Sequence, residues 1–352
     1  MRRLPFSSDY MEGAHPAVLD ALIRTNMEST DGYGADPYCA AAEQAILEAC
    51  GCPEGAVRFL VGGTQTNALI ISCLLRPYQG VIAAESGHIA VHEAGAIEAG
   101  GHKVLTLPAQ NGKITAEAVR ALTEAYYDNE VRDHMVQPGM VYLSQPTEYG
   151  TLYTHAELAA IRDVCHEYGM LLYVDGARLA YALGSAANDV SLKDLAALTD
   201  IFYIGGTKCG LLFGEAVVMP RKDLIPGFFT MIKQHGALLA KGRILGVQFG
   251  AMFGVEGVAP ESGRLLYEEI GKAVVDHGQR IRAKLIERSL PLYIDSPTNQ
   301  IFCVYPDAEL AALGEKVNYG YMERYDADHT VIRFCTSWAT RSEDVDALLE
   351  IL

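Results

Sequence analysis

The chain has 352 residues, which at roughly 150 residues per domain suggests two domains. Half of the residues are hydrophobic and 20% are charged, so a large core is available and disorder as the organising state is excluded. The 28 basic and 44 acidic residues leave a net charge of −16, an acidic surface that repels phosphate backbones and argues against nucleic-acid partners.

No apolar run reaches the ~20 residues a membrane helix needs, and no apolar stretch follows the two N-terminal arginines, so neither a span nor a signal peptide is expected. The eight cysteines sit in apolar segments with no CxxC pair. They are expected to be reduced thiols of a cytoplasmic protein rather than disulfides or metal ligands.

From about residue 57 to 220, short apolar strands alternate with helices. Residues 57–61 (VRFLV) read as a strand, followed by GGT and an apolar helix. Residues 80–84 form a second strand, followed by a helix from His88 to Gly100. HKVLTLP is a third strand and 116–127 a helix; 139–145 is a strand and 155–168 an amphipathic helix ending at Gly169. MLLYVD, DIFYIGG and LLFGEAVVM complete the series. This pattern predicts a mostly parallel sheet covered on both faces. Residues 228–288 read as long and helical. Beyond Pro291 the pattern is strand (IFCVYP), helix, strand (TVIRFCT), helix, a small α+β domain hinged within 245–275.

Four features follow strand ends. Gly62-Gly63-Thr64-Gln65 precedes a helix whose free N–H groups suit a phosphate, although an ordinary capped turn explains it equally well. Asp175 closes MLLYVD at the edge where open α/β sheets bind ligands, or else caps the next element. Lys208, behind an apolar strand and two glycines, is a candidate amine nucleophile with a lowered pKa, although most lysines are solvated. His88 is placed to stack on a flat ring or move protons, or to cap its helix. Individually the ordinary explanations win. Together these residues supply a phosphate cradle, a partner for a pyridine nitrogen, a carbonyl-binding amine and a ring-stacking group, which is what pyridoxal 5′-phosphate requires. Arg178 would neutralise the coenzyme's phenolate oxygen or a substrate carboxylate. The glycine turn is neither a Walker loop nor a dinucleotide fingerprint.

On these residues the chain resembles the fold-type I pyridoxal-phosphate enzymes, and more narrowly the low-specificity threonine aldolases of the β-eliminating lyase group. Ser8-Asp9, the Tyr33-Gly34-Ala35-Asp36-Pro37 loop, Gly63-Thr64-Gln65-x-Asn67, His88, Asp175-Gly-Ala-Arg178, Thr207-Lys208 and Ser296-Pro-Thr-Asn299 carry the resemblance. So does Arg333, an arginine in an apolar alternating strand where a carboxylate would pair with it.

The resemblance implies an α/β fold: a large domain (1–250, with the N-terminal arm) around a mostly parallel seven-stranded sheet, and a small α+β domain (251–352). It also implies cleavage of threonine or allo-threonine to glycine and an aldehyde. Lys208, His88 and Glu148 would act catalytically. Gly63, Thr64, Gln65, His88, Asp175, Arg178, Thr207 and Lys208 would hold the coenzyme. Ser8, Tyr33, Arg178 and Arg333 would hold the substrate. A homo-oligomer, dimer or tetramer, would share its sites, with Lys241 or Arg243 reaching a neighbour's phosphate.

Two departures stand out. Glu148, in Ser144-Gln-Pro-Thr-Glu148-Tyr, occupies the place of a family histidine, and the family's glycine-rich cationic segment is only loosely echoed at 232–237. The alternatives are another pyridoxal-phosphate reaction, such as β-elimination or transamination, and a non-catalytic binding protein on the same scaffold.

Overall fold

The computed structural model describes residues 2–254, 257 and 263–352. Among the described residues, twelve strands form two sheets. They are β1 (Leu4–Phe6), β2 (Ala56–Leu60), β3 (Gln79–Ala84), β4 (Val104–Leu107), β5 (Gln137–Ser144), β6 (Leu171–Asp175), β7 (Ile201–Gly205), β8 (Glu215–Met219), β9 (Leu292–Ile294), β10 (Gln300–Pro306), β11 (Val317–Arg324) and β12 (His329–Cys335).

The larger sheet runs β2-β8-β7-β6-β5-β3-β4, with only β8 antiparallel to its neighbours. Successive residues face opposite helical layers, as the pleat requires. Ile82, Val141, Val174 and Phe202 enter one apolar core, and Val81, Met140, Tyr173 and Tyr203 enter the other. The flanking helices start and stop where the sequence signals it. Thr154 and Glu157 form a reciprocal cap at the start of His155–Tyr168, and Gly169 ends that helix.

The segment 88–100 differs from the expected single helix. Ala94 and Gly95 adopt left-handed φ of 51° and 72°, so two short helices result, His88–Val91 and Ala96–Ala99. The break turns Glu93 inward, with consequences for the site. The long helical tract expected over 228–288 is likewise interrupted: its described residues include the helices Phe228–Gln234, Arg243–Phe253 and Leu266–Glu287.

The second sheet runs β1-β11-β12-β10-β9. Its first strand is the N-terminal arm, which pairs in parallel with β11 (Leu4 opposite Val317, Phe6 opposite Tyr319). The helix Leu266–Glu287 ties the layers together. Tyr267, Ile270 and Val274 pack in the large core, whereas Ile281 and Leu285 pack under the second sheet. Gly271 permits this close approach, since a Cβ there would lie 1.9 Å from the Ala180 carbonyl oxygen.

Candidate active site

Strands β2, β3, β5, β6 and β7 end on one edge, and the turns beyond them surround a cavity of about 310 Å³. The open-sheet rule places a ligand there. Gly63, Thr64, His88, Glu148, Asp175, Arg178, Thr207 and Lys208 all line it.

After β2 the chain turns through Gly62 into the helix Gly63–Leu74, whose first turn has no side-chain cap. Gly62, Gly63 and Thr64 line the cavity, so the uncapped end meets it directly and suits an anion. Gln65 turns back from the cavity, its Oε1 accepting the Val61 N–H at 3.3 Å.

Asp175 is buried at the end of β6. Its Oδ1 accepts from the Tyr203 hydroxyl at 2.5 Å and the Ala177 N–H at 2.9 Å. Its Oδ2 accepts from the Tyr142 hydroxyl at 2.6 Å and the Asn67 amide at 3.0 Å. Tyr173 donates to Asn67 Oδ1 at 2.6 Å. Burial first, and the Asp175 charge second, push all three phenols well above their ordinary pKa, so they remain donors across the neutral range.

Lys208 is half-buried among charges of both signs. Burial, aided by Arg178, pushes its ammonium below the ordinary lysine value against the pull of Asp9, Asp175 and Glu215. That favours the free amine a carbonyl needs. The Tyr10 ring lies 6.0 Å from Nζ. Arg178 is held in a bidentate pair by Asp9, with Nε to Oδ2 at 2.6 Å and Nη2 to Oδ1 at 3.0 Å. Burial would raise the Asp9 carboxyl, but Arg178, Lys208 and the Asn299 amide outweigh it and hold the group at about 2.

His88 enters from the β3 edge. Its Nδ1 lies 2.8 Å from Glu93 Oε1, which also accepts from Asn67 at 2.7 Å. Glu93 thus fixes the imidazole and links it through Asn67 to Asp175. Glu148 lies alongside, accepting from the His88 backbone N–H at 2.9 Å and from Ser144 Oγ at 2.7 Å. Burial raises its carboxyl above the ordinary glutamate value.

The remaining expected residues lie elsewhere in the chain. Arg333 donates to Gln300 Oε1 at 2.8 Å and to the Ser7 carbonyl at 2.9 Å, and its buried Nε has no partner. Ser8 Oγ is also buried without a partner. Each orphaned donor could serve a ligand oxygen, and the Arg333 bond to the Ser7 carbonyl sets Arg333 against the segment that carries Ser8, although neither residue lines the cavity. Tyr33 stands outside the cavity with Lys233 Nζ 4.6 Å above its ring. Lys241 and Arg243 line a separate cavity of about 580 Å³, where Arg243 donates to the Thr25 and Asn26 carbonyls.

Comparison with known proteins accords with this geometry. The beta-eliminating lyase family model matches residues 5–330. The chain belongs to the beta-eliminating lyase family. It is 32% identical to a low specificity L-threonine aldolase of Pseudomonas aeruginosa, over 97% of this chain and 95% of that one. It is 40% identical to Leishmania major threonine aldolase, with a TM-score of 0.93 over 99% and 98% of the two chains. A Thermus thermophilus aspartate aminotransferase, 15% identical with a TM-score of 0.70 over 99% and 90% of the chains, shares the fold.

The residues present fit the coenzyme of this family, pyridoxal 5′-phosphate. The uncapped helix end suits its phosphate, Asp175 its ring nitrogen, His88 its ring face and the Lys208 amine its aldehyde. Sequence reasoning missed Glu93, Tyr142, Tyr203 and Glu215, and it named Asn67 only within the glycine-turn motif, whereas the structure has it donating to Asp175 and Glu93. A signal existed for the tyrosines: Tyr142, Tyr173 and Tyr203 each stand two residues before the end of an adjacent strand, on the same face as Ser144, Asp175 and Gly205.

Proposed function

We propose that this beta-eliminating lyase cleaves a β-hydroxy-α-amino acid, threonine or allo-threonine, to glycine and an aldehyde. The supporting observation is the convergence of Lys208, Asp175, His88 and the uncapped helix end on one cavity, in a chain so similar to named threonine aldolases. The coenzyme supplies an electron-withdrawing ring that takes up the electrons freed at the substrate's α carbon. Lys208 Nζ would anchor it, and the Asp175 charge would keep its ring nitrogen protonated. Arg333 and Ser8 hold the substrate carboxylate through their unpartnered donors. This clamp would fix the orientation of the substrate's α carbon, and so which of its bonds is placed to break.

Cleavage requires removal of the β-hydroxyl proton while the Cα–Cβ bond breaks. The hydroxyl carbon leaves as the aldehyde, and the α carbon gains a proton to give glycine. His88 Nε2, the ring nitrogen left free by Glu93, takes the hydroxyl proton through a water, with Glu148 as the competing base. Expected products are acetaldehyde and glycine in equal amounts from threonine, with loss of both in Lys208→Ala. Absence of aldehyde from every β-hydroxy amino acid offered would overturn the substrate class, and ammonia or a keto acid instead would point to β-elimination or transamination.

The chain also assembles, in this reading, as a homo-oligomer in which Lys241 or Arg243 reaches a neighbouring site. Leu19, Ile23 and Met27, four residues apart and all exposed, support a covered face. A monomeric mass in sedimentation at working concentration would refute it.

A further inference from the structure

Glu215 opens the antiparallel strand β8, paired with Leu60 on one side and Gly205 on the other. It therefore sits at the cavity edge among strand ends that otherwise run the opposite way. It is 3% exposed and lines the same cavity as Gly62, Gly63, Thr64 and Lys208. Its Oε1 accepts from the Thr207 hydroxyl at 2.8 Å, and its Oε2 accepts from the Gly206 N–H at 3.1 Å. The Thr207 oxygen in turn accepts the Gly214 N–H at 3.0 Å.

This arrangement conflicts with a phosphate in the same cavity. A hydroxyl carries one proton. While Glu215 is a carboxylate, the Thr207 proton points to it, and Thr207 has nothing to donate to a phosphate oxygen. A phosphate also brings about −1.5 to −2 charges next to a buried carboxylate. A proton on Glu215 removes both obstacles, because the acid becomes neutral and a donor itself and the Thr207 hydroxyl is released.

We propose that Glu215 is a positioning residue whose proton sets how tightly the chain grips the phosphate end of its coenzyme: the phosphate is held while Glu215 carries its proton, and loss of the proton returns the Thr207 hydroxyl to Glu215. This inference rests on the coenzyme reading above. The titratable groups that face Glu215 are Lys208 and Cys209 beyond β7, Tyr203 on β7, Tyr173 and Asp175 on β6, and Tyr267 from the helix Leu266–Glu287. Lys208 is the one cation among them and favours the carboxylate, whereas Asp175 opposes it. Burial is the largest influence and pushes Glu215 up to about 8, so the proton is held in neutral solution and lost in mildly alkaline solution.

The test measures binding rather than turnover. Coenzyme-free wild type and Glu215→Gln are titrated with pyridoxal 5′-phosphate, and separately with pyridoxal, from pH 6.5 to 9.5. Above about pH 8 the wild-type dissociation constant for pyridoxal 5′-phosphate should rise, relative to pyridoxal, towards about tenfold per pH unit, as linkage to one proton requires. The Gln variant, a neutral isostere, should lack that excess slope. A wild-type measurement needs no variant: calorimetry at pH 9 in two buffers of different ionisation enthalpy should show about one more proton taken up with pyridoxal 5′-phosphate than with pyridoxal. Equal uptake, or equal slopes in both proteins, overturns the role of Glu215 and leaves the coenzyme reading intact. Failure to bind pyridoxal 5′-phosphate at any pH overturns both.

Discussion

Replacing Asp9 by Asn separates what the arm contributes to stability from what it contributes to the site. The Asp9 side chain is fully buried and that of Arg178 is 12% exposed, so water screens their pair weakly. The Asp9 carboxyl is held at about 2 against an ordinary 3.8, a difference worth about 2–3 kcal/mol at about 1.36 kcal/mol per pH unit. Because the folded-state value is depressed, this stabilisation is fully present above pH 3.8 and is lost as pH falls through about 2. Asn has one acceptor oxygen where three donors converge, namely Arg178 Nε, Arg178 Nη2 and Asn299 Nδ2. The variant leaves a buried guanidinium without its counter-charge, and the loss should reach about 3–5 kcal/mol. Urea unfolding at pH 7, followed by circular dichroism and by the fluorescence of Trp338, should show a lower midpoint for Asp9→Asn. Trp338 is the sole tryptophan, and its ring lies 5.9 Å from that of His15 just beyond the arm. The gap should narrow as pH is lowered. Asp9→Leu combined with Arg178→Met should lose less than Asp9→Asn alone, since no charge is then stranded. A variant within about 1 kcal/mol of wild type at pH 7 would refute the reasoning.

Three further outcomes are expected. Glu93→Gln keeps volume but removes the charged acceptor that fixes His88; kcat/KM should fall about 10–100-fold with an altered pH profile and unchanged circular dichroism, and an unaltered profile would exclude Glu93 as a positioning residue. Glu148 is held by burial above its ordinary 4.5, so any activity that needs its carboxylate should fall on the acid side with a midpoint above that value; Glu148→Gln should lose this limb, and its persistence would remove Glu148 as the source. Gly271→Ala would force a Cβ to 1.9 Å from the Ala180 carbonyl, lowering stability by about 1–3 kcal/mol or more; an unchanged Tm would show that the helices Leu179–Leu183 and Leu266–Glu287 can part freely.

The sequence alone carried the alternation of short apolar strands and helices over 57–220, because periodicity is local and the central strands are buried on both faces. It also carried Lys208, Asp175, His88 and the Gly62–Thr64 turn, since each stands directly beyond a strand end and an open parallel sheet brings such ends to one edge. Tertiary structure decided the rest. Asp9 meets Arg178 across 169 residues and Asn299 across 290, because the arm pairs with β11, and no local pattern announces a parallel pairing at such separation. Glu93 reaches His88 only because the chain breaks its helix at Ala94 and Gly95. Glu215 faces the phosphate turn because β8 alone runs antiparallel, which puts the start of that strand where its neighbours end. Local sequence places the groups that touch a ligand at strand ends, whereas the partners that set their charge and orientation come from distant segments that only packing brings within hydrogen-bond reach.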